Sequence, residues 1–185
     1  MAFGGRVARW IAAAALFAHA SPALTQTPTQ TPPTDYEVKA AFLLHFTRLV
    51  DWPPGTATGP MRVGVLDNEP FADVLEEVAS AEAPQRSIQI LRSDSLDRLR
   101  PRPHVVFIGT ESAAEARRIC AALGTMPVLT VGDVPGFAEH GGMIGFRVTD
   151  EGRVTFDVNL TRIRAAGLDV SSQLLKIARV IEEER

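Results

Sequence analysis

The residues of this 185-residue sequence that could perform chemistry are few and widely separated. The histidines after residue 20, His45, His104 and His140, lack the helical spacing with which two imidazoles bind one zinc ion. The sequence contains no GxSxG, HExxH, CxxC or GxxxxGKS/T motif. Cys120 is the only cysteine, which excludes an intramolecular disulfide. We therefore predict no catalytic site, no metal site and no cofactor.

The glycine-rich stretch at residues 132–142, GDVPGFAEHGG, is the strongest functional lead. It follows a predicted parallel strand, and α/β proteins usually bind ligands beyond the carboxyl ends of such strands. Glu139 and His140 place an acid beside an imidazole, among glycines that permit unusual backbone conformations. The alternative is a structural turn from a parallel strand into a hairpin. The candidate ligand or hinge residues are Asp133, Gly136, His140, Gly141 and Gly142.

Three large apolar side chains are candidates for contact with a partner protein: Leu44, Trp52 and Phe137. Residues 36–52 lack glycine and proline and end against Pro53, a pattern that predicts a helix. Leu44 and Trp52 project away from its main apolar arc, so either the helix is covered on two sides or these residues bind a partner. Phe137 lies in the glycine-rich stretch with few apolar neighbours in sequence, which makes it a candidate anchor.

The other histidines and the cysteine fit structural roles. His104 begins an apolar strand and is predicted to be structural, whereas His45 lies on the polar side of the first helix, where water solvates it. Cys120 lies in an apolar helical pattern, which predicts a buried and unreactive thiol.

The pattern of apolar runs predicts an α/β fold, with a mainly parallel sheet flanked by helices. Composition is that of a globular domain, with 45% hydrophobic and 22% charged residues. The predicted strands cover residues 61–66, 87–91, 104–108 and 128–131. Helices are predicted near residues 71–80 and 112–123, the second with Ser112 and Glu115 at the spacing of a capping box.

The C-terminal part of the sequence predicts an antiparallel hairpin and closing helices. Alternation at residues 144–148 and 154–158 places Phe146 opposite Phe156, joined by a loop in which Gly152 is left-handed. Arg147 then lies diagonally across from Asp157. A short helix is expected at residues 160–166, capped by Asn159, and a final helix from residue 171 or 172 to the glutamate-rich terminus.

The N-terminal residues predict export. Residues 1–20 combine a positive start, a short apolar run and a small-x-small triplet ending at Ala20, which is typical of a cleaved signal peptide. An uncleaved anchor is the alternative, although the apolar run is too short to span a bilayer. Residues 21–34 predict a flexible Pro/Thr/Gln-rich tether, and residues 35–185 a single domain. The formal net charge of −3, with no basic stripe, argues against nucleic-acid binding, and no direct membrane insertion is expected after cleavage.

Four stretches together resemble the YfiR family of periplasmic proteins. They are the helix YEVKAAFLLHFTRLVDW at residues 36–52 with the Pro53 that follows it, the strand HVVFI at 104–108, the run PVLTVGDVPGFAEHGGMIGF at 127–146, and the closing AGLDVSSQLLKIARVI at 166–181. They occur in order along almost the whole predicted domain.

The resemblance implies a non-enzymatic periplasmic regulator. Such a protein binds and represses the periplasmic sensor domain of a membrane-bound diguanylate cyclase, or another membrane sensor, and so controls cyclic di-GMP. The resemblance also implies dimerisation and redox sensitivity through cysteine pairs, but this chain has only Cys120, and Pro103 stands where relatives often have cysteine. An alternative function is a periplasmic small-molecule-binding sensor module, in which the glycine-rich stretch closes on a ligand.

Overall fold

The computed structural model describes residues 34–56, 59–82 and 87–182. The predicted signal peptide and all of the predicted tether except Thr34 lie outside the described residues, so both stay predictions. None of the described helices combines the length and the apolar character needed to cross a membrane.

The described residues form five α-helices, two short 3-10 helices at Leu96–Arg98 and Ala138–His140, and nine strands. The helices are α1 (Asp35–Leu49), α2 (Glu69–Glu82), α3 (Ala113–Leu123), α4 (Leu160–Ala165) and α5 (Ser172–Leu175). The strands are β1 (Val50–Asp51), β2 (Met61–Leu66), β3 (Ile88–Ser93), β4 (Val105–Ile108), β5 (Leu129–Gly132), β6 (Ile144–Val148), β7 (Val154–Asn159), β8 (Asp169–Val170) and β9 (Arg179–Ile181).

Seven strands form one sheet in the order β3-β2-β4-β5-β6-β7-β9, and every pair is parallel except β6 with β7. The predicted α/β fold with a mainly parallel sheet is therefore confirmed. β1 and β8 form a separate antiparallel pair. The first helix ends at Leu49, earlier than predicted, because Val50 and Asp51 pair with β8 instead of continuing the helix.

Alternating strand residues divide the core into two layers. On one face of the sheet, Val63, Phe107 and Phe146 pack in a cluster with residues of α1 and α2. On the other face, Val106 and Ile108 pack with residues of α3. Because parallel strands are buried on both faces, their runs are continuously apolar, as the sequence of β4 is.

Local side-chain contacts fix the helix starts. Thr34 and Glu37 form a capping box at the start of α1, and the side chain of Ser112 accepts a hydrogen bond from the Glu115 backbone at the start of α3. The predicted cap of α4 is confirmed, since the Asn159 side chain accepts from the Arg162 backbone at 3.0 Å.

The predicted hairpin is confirmed in register and in turn. Phe146 lies opposite Phe156, and Gly152 has the left-handed φ of +73° that the tight connection requires. The predicted diagonal pair is also present, because Arg147 Nε donates to Asp157 Oδ1 at 2.8 Å. Phe42 and Phe46 of α1 stack against this face of the hairpin.

The prediction of a long final helix is wrong. Between residues 171 and 182, where the structure describes the chain, only α5 is helical, as one turn from Ser172 to Leu175, and Arg179–Ile181 then form β9, parallel to β7. The helical spacing of the apolar residues did identify Leu174, which is fully buried. Beyond α5 a strand is favoured for two reasons. The edge of β7 that does not pair with β6 offers backbone hydrogen bonds to β9, and the carboxylate of Asp157 binds Arg179.

Candidate functional site

Residues 132–142 leave the carboxyl end of β5 and fold back over the sheet. Asn159 Nδ2 donates to the carbonyl of Ala138 at 2.8 Å, and a Cβ at Gly145 of β6 would lie only 3.1 Å from the Ala138 nitrogen. We call residues 132–142 the covering segment, because they lie on β6 and β7 much as a helix would.

Phe137 anchors the covering segment from inside. Its side chain is 4% exposed and belongs to the core cluster beneath α3. A Cβ at Gly132 would lie 2.7 Å from the Phe137 ring, and one at Gly142 would overlap it. These glycines are therefore needed for the close approach of an aromatic ring. The sequence makes Phe137 a candidate anchor because it has few apolar neighbours along the chain. In the structure its ring is buried among apolar residues that come from distant parts of the chain.

Two further glycines shape the turn around His140. Gly136 and Gly141 have φ values of +70° and +103°, which favour glycine. The Nδ1 of His140 donates to the carbonyl of Gly136 at 2.7 Å, and the ring itself is exposed. Of the predicted ligand or hinge residues, the structure thus brings Gly136, His140 and Gly141 together, while Gly142 packs against Phe137.

Asp133, the remaining candidate, binds a buried lysine. Lys39 Nζ lies 2.7 Å from Asp133 Oδ2, and the lysine residue is only 8% exposed. This pair links α1 to the start of the covering segment. In the sequence Lys39 is the one interruption of the apolar arc of the first helix, where its stem is expected to snorkel; its ammonium is instead buried against Asp133.

A second ion-pair network joins the hairpin to β9. Asp157, with a 3% exposed side chain, accepts from Arg147 and from both Nε and Nη2 of Arg179, and Arg179 Nη2 also reaches Glu139 at 2.7 Å. Burial raises the pKa of the Asp157 carboxyl, but hydrogen bonds from Arg179 and the charge of Arg147 outweigh burial, so the pKa is lowered. The covering segment, β7 and β9 are held together by this carboxylate.

Leu44 and Trp52, the two candidate partner contacts at the first helix, are both at least partly buried. Leu44 is 4% exposed and lies in the main core cluster, so of the two alternatives the helix covered on both sides is the one observed at this position. Trp52 is half-buried, with its ring edge-on to His104 at 6.2 Å between centroids. Its buried Nε1 has no hydrogen-bond partner among the described residues.

His104 is confirmed as a structural histidine. Its Nδ1 accepts the Arg62 backbone N–H at 2.9 Å, so its Nε2 carries the proton and donates to the Thr56 carbonyl at 3.2 Å. Burial, and secondarily the charge of Arg62, lower the pKa of this imidazole. His104 is therefore held in the neutral form.

The buried histidine predicts acid sensitivity. The unfolded chain takes up a proton at His104 near pH 6.5, whereas the folded chain does so only at lower pH. The contribution of His104 to the free energy of unfolding is therefore constant above about pH 7.5 and falls as pH drops through 6.5, by at most about 1.4 kcal/mol per pH unit. Chemical denaturation of the wild type across this range measures the slope.

Two variants control this measurement. His104→Asn keeps an oxygen acceptor for the Arg62 N–H but does not titrate, so its stability is expected to lose the dependence between pH 7.5 and the pKa of folded His104. His45→Asn changes an exposed histidine and should keep the wild-type profile. Equal slopes for His104→Asn and wild type would contradict the assignment.

Cys120 lies on the inner face of α3 and is buried, as predicted. Burial raises the pKa of its thiol to about 11, partly offset by a hydrogen bond with Thr130. The thiol is therefore protonated at neutral pH and a poor nucleophile. Within the described residues, no group of three or more His, Cys, Asp or Glu side chains could hold a metal ion.

The fold and these contacts define a small three-layer α/β domain in which the glycine-rich connection is packed as part of the structure. A family model described as YfiR/HmsC-like matches residues 36–179. The chain belongs to the YfiR/HmsC-like family.

Comparison with solved structures supports the fold. A crystal structure of a conserved domain protein from Vibrio cholerae O1 biovar El Tor aligns with a TM-score of 0.54 and 10% identity, covering 81% of this chain and 60% of that one. This chain thus spans less than two thirds of that protein. A structure titled for a diketoreductase that acts on dicarbonyl compounds reaches a TM-score of only 0.35 at 13% identity, over 69% of this chain and 65% of that one. No curated protein matches the chain.

Proposed function

We propose that this protein is an exported, non-enzymatic regulator that binds the periplasmic domain of a membrane-bound diguanylate cyclase and represses it, thereby lowering cyclic di-GMP. The observation that carries the proposal is the YfiR/HmsC-like match over residues 36–179. A regulator of this kind needs no catalytic group. It needs only to bind the inactive conformation of its partner more tightly than the active one.

A small protein–protein contact can supply the binding free energy that repression requires. Shifting a two-state partner from 1:99 to 99:1 takes about 5.5 kcal/mol of differential binding free energy. A few buried apolar side chains surrounded by a polar rim can supply that amount. The partner-binding candidates therefore have to be exposed apolar residues.

The contact surface we propose lies at the C-terminal edge of the sheet. Ile177 is 61% exposed in the turn that precedes the edge strand β9, and Val180 of β9 itself is 42% exposed. Large apolar side chains on an edge strand favour contact with another protein. Trp52 stays a candidate contact, whereas Leu44 and Phe137 act on binding only by supporting the fold. Self-association also stays a prediction.

Deletion of the gene in its native host tests the proposal. Loss of a repressor is expected to raise intracellular cyclic di-GMP severalfold, measured by mass spectrometry of cell extracts. The full-length chain should restore the low level. A chain lacking residues 2–20 should not, because the proposed partner surface is outside the cytoplasm.

Two outcomes would contradict the proposal. One is an unchanged cyclic di-GMP level after deletion, and the other is full complementation by the leaderless chain at equal protein abundance. As a matched control for the contact surface, Ile177→Asp should fail to complement, whereas Lys176→Asp at the neighbouring exposed position should complement.

A further inference from the structure

The strand β3 forms one edge of the main sheet. It is the first strand in the sheet order and pairs only with β2 among the described strands. It has six residues, whereas β9 at the opposite edge has three. An edge strand presents a row of unpaired N–H and C=O groups that can bind another strand. The contact surface proposed for a cyclase lies at the β9 edge, which leaves β3 without an assigned role.

Three residues of β3 direct their backbone groups away from the sheet. The carbonyls of Ser87 and Ser93 accept hydrogen bonds from the β2 side, at 2.9 and 3.1 Å. Alternate residues of a parallel strand bond the same neighbour, so the odd-numbered residues between them also face β2. The N–H and C=O groups of Ile88, Ile90 and Arg92 therefore point to the open edge. Within the described parts of the chain these groups have no hydrogen-bond partner.

Acidic side chains of α2 lie over this edge. Arg92 of β3 forms ion pairs with Glu69, Asp73 and Glu76, with N–O distances of 3.1 Å to Glu69 and 2.9 Å to Glu76. The three carboxylates occupy successive turns on one side of α2, and all three residues are exposed. We call them the acidic stripe. Three carboxylates and one guanidinium leave two net negative charges beside the open backbone groups.

The two faces of β3 offer different side chains. Ile88, Ile90 and Arg92 lie on the α2 face, where the isoleucines pack against the main core cluster. On the other face, Leu91 and Leu96 border the second cluster, and both are only partly buried. A strand added to β3 would therefore meet carboxylates on one face and apolar side chains on the other.

A second copy of this chain does not suit the β3 edge. Pairing of two β3 strands would bring two acidic stripes together, and like charges on neighbouring strands are destabilising. A positively charged strand instead gains from the same carboxylates. The charge of the α2 face thus selects a basic occupant.

We propose that the β3 edge is a docking site for a basic strand of another protein, an extended segment in which Lys or Arg alternates with apolar residues. Its backbone would pair with Ile88, Ile90 and Arg92, its cations would face the acidic stripe, and its apolar side chains would cover Leu91. Alternation with a period of two matches the pleat of a strand. This inference goes beyond the proposed function and does not depend on it, because it concerns the edge opposite β9.

Fluorescence anisotropy of labelled peptides mixed with the purified protein tests the site. The peptide KVKVKVK is expected to bind, with an affinity that falls as salt is added, whereas EVEVEVE should not bind. Methylation of backbone nitrogens tests for strand pairing, because only alternate N–H groups of an added strand face β3. Loss of binding on methylating the lysines alone assigns antiparallel pairing, and loss on methylating the valines alone assigns parallel pairing.

Two double variants with the same change in net charge test the acidic stripe. Asp73→Asn with Glu76→Gln is expected to raise the Kd of KVKVKVK about tenfold, the effect of losing two exposed ion pairs. Asp150→Asn with Glu151→Gln changes two exposed residues of the distant hairpin turn, where salt screens their charge, and should leave the Kd within about a factor of two.

Hydrogen exchange locates the bound peptide. The amides of Ile88, Ile90 and Arg92 should exchange more slowly in the complex, while those of Arg179–Ile181 should not change. The proposal is overturned if KVKVKVK binds no better than EVEVEVE, if both methylated sets bind equally, if the two double variants weaken binding equally, or if β9 is protected instead of β3. Because no cyclase is present, each of these outcomes leaves the proposed function unaffected.

Discussion

Replacing Phe137 with alanine is expected to lower the free energy of unfolding by about 3–5 kcal/mol, the usual cost of deleting a buried aromatic side chain. The ring is 4% exposed and lies directly against Gly132 and Gly142. Its removal leaves a cavity between the covering segment and the sheet that the surrounding backbone cannot fill. Urea denaturation followed by circular dichroism measures the change.

A double-mutant cycle with Gly142 gives the control. Gly142→Ala alone forces a methyl group into the space of the ring, at a cost of about 1–3 kcal/mol. Once Phe137 is alanine, the same methyl group meets an empty space, so the second substitution should cost much less. Strictly additive effects, or an unchanged stability of Phe137→Ala, would show that the covering segment is not held by this ring.

Replacing Asp133 with alanine is expected to lower the free energy of unfolding by about 3 kcal/mol or more, because it leaves a buried ammonium without its counterion. Lys39 is 8% exposed, whereas the Asp133 side chain is 23% exposed. Lys39→Met should therefore cost less than Asp133→Ala, since water can solvate the remaining carboxylate and the methionine can pack in the core. Thermal and urea denaturation of both variants measure the difference.

The paired variant Lys39→Met with Asp133→Ala provides the control. It removes both charges, so its stability should exceed that of Asp133→Ala alone. A cost of Asp133→Ala equal to or below that of Lys39→Met would contradict the description of Lys39 as a buried cation that depends on this partner.

The positions of β2 to β7 were largely predictable from their apolar patterns, because parallel strands are buried on both faces, but the order of the strands in the sheet was not predicted. The run at residues 104–108 has to be apolar throughout, and the alternation in the hairpin fixes which residues face each other. Local signals also sufficed for the caps at Ser112 and Asn159. Each of these inferences uses residues that are near one another in sequence.

The candidate site was only partly predictable because its contacts are non-local. The glycines of the covering segment were singled out from the sequence, but the ring that requires two of them was assigned to contact with a partner or ligand. Nothing near Phe137 in sequence shows that β5, β6 and α3 enclose it. Likewise, the apolar spacing after residue 171 favoured a helix, whereas the open edge of β7 and the buried Asp157 favour the strand β9.

The burial of Cys120 provides a way to measure local opening of the folded protein. The single protonated thiol lies on the inner face of α3 and also lines a cavity of about 330 Å³, so an alkylating reagent reaches it either through that cavity or when the helix separates from the sheet. Its modification rate in the native state therefore reports both access to the cavity and opening of this layer, without any engineered label. Denaturant dependence of that rate would distinguish local fraying from complete unfolding.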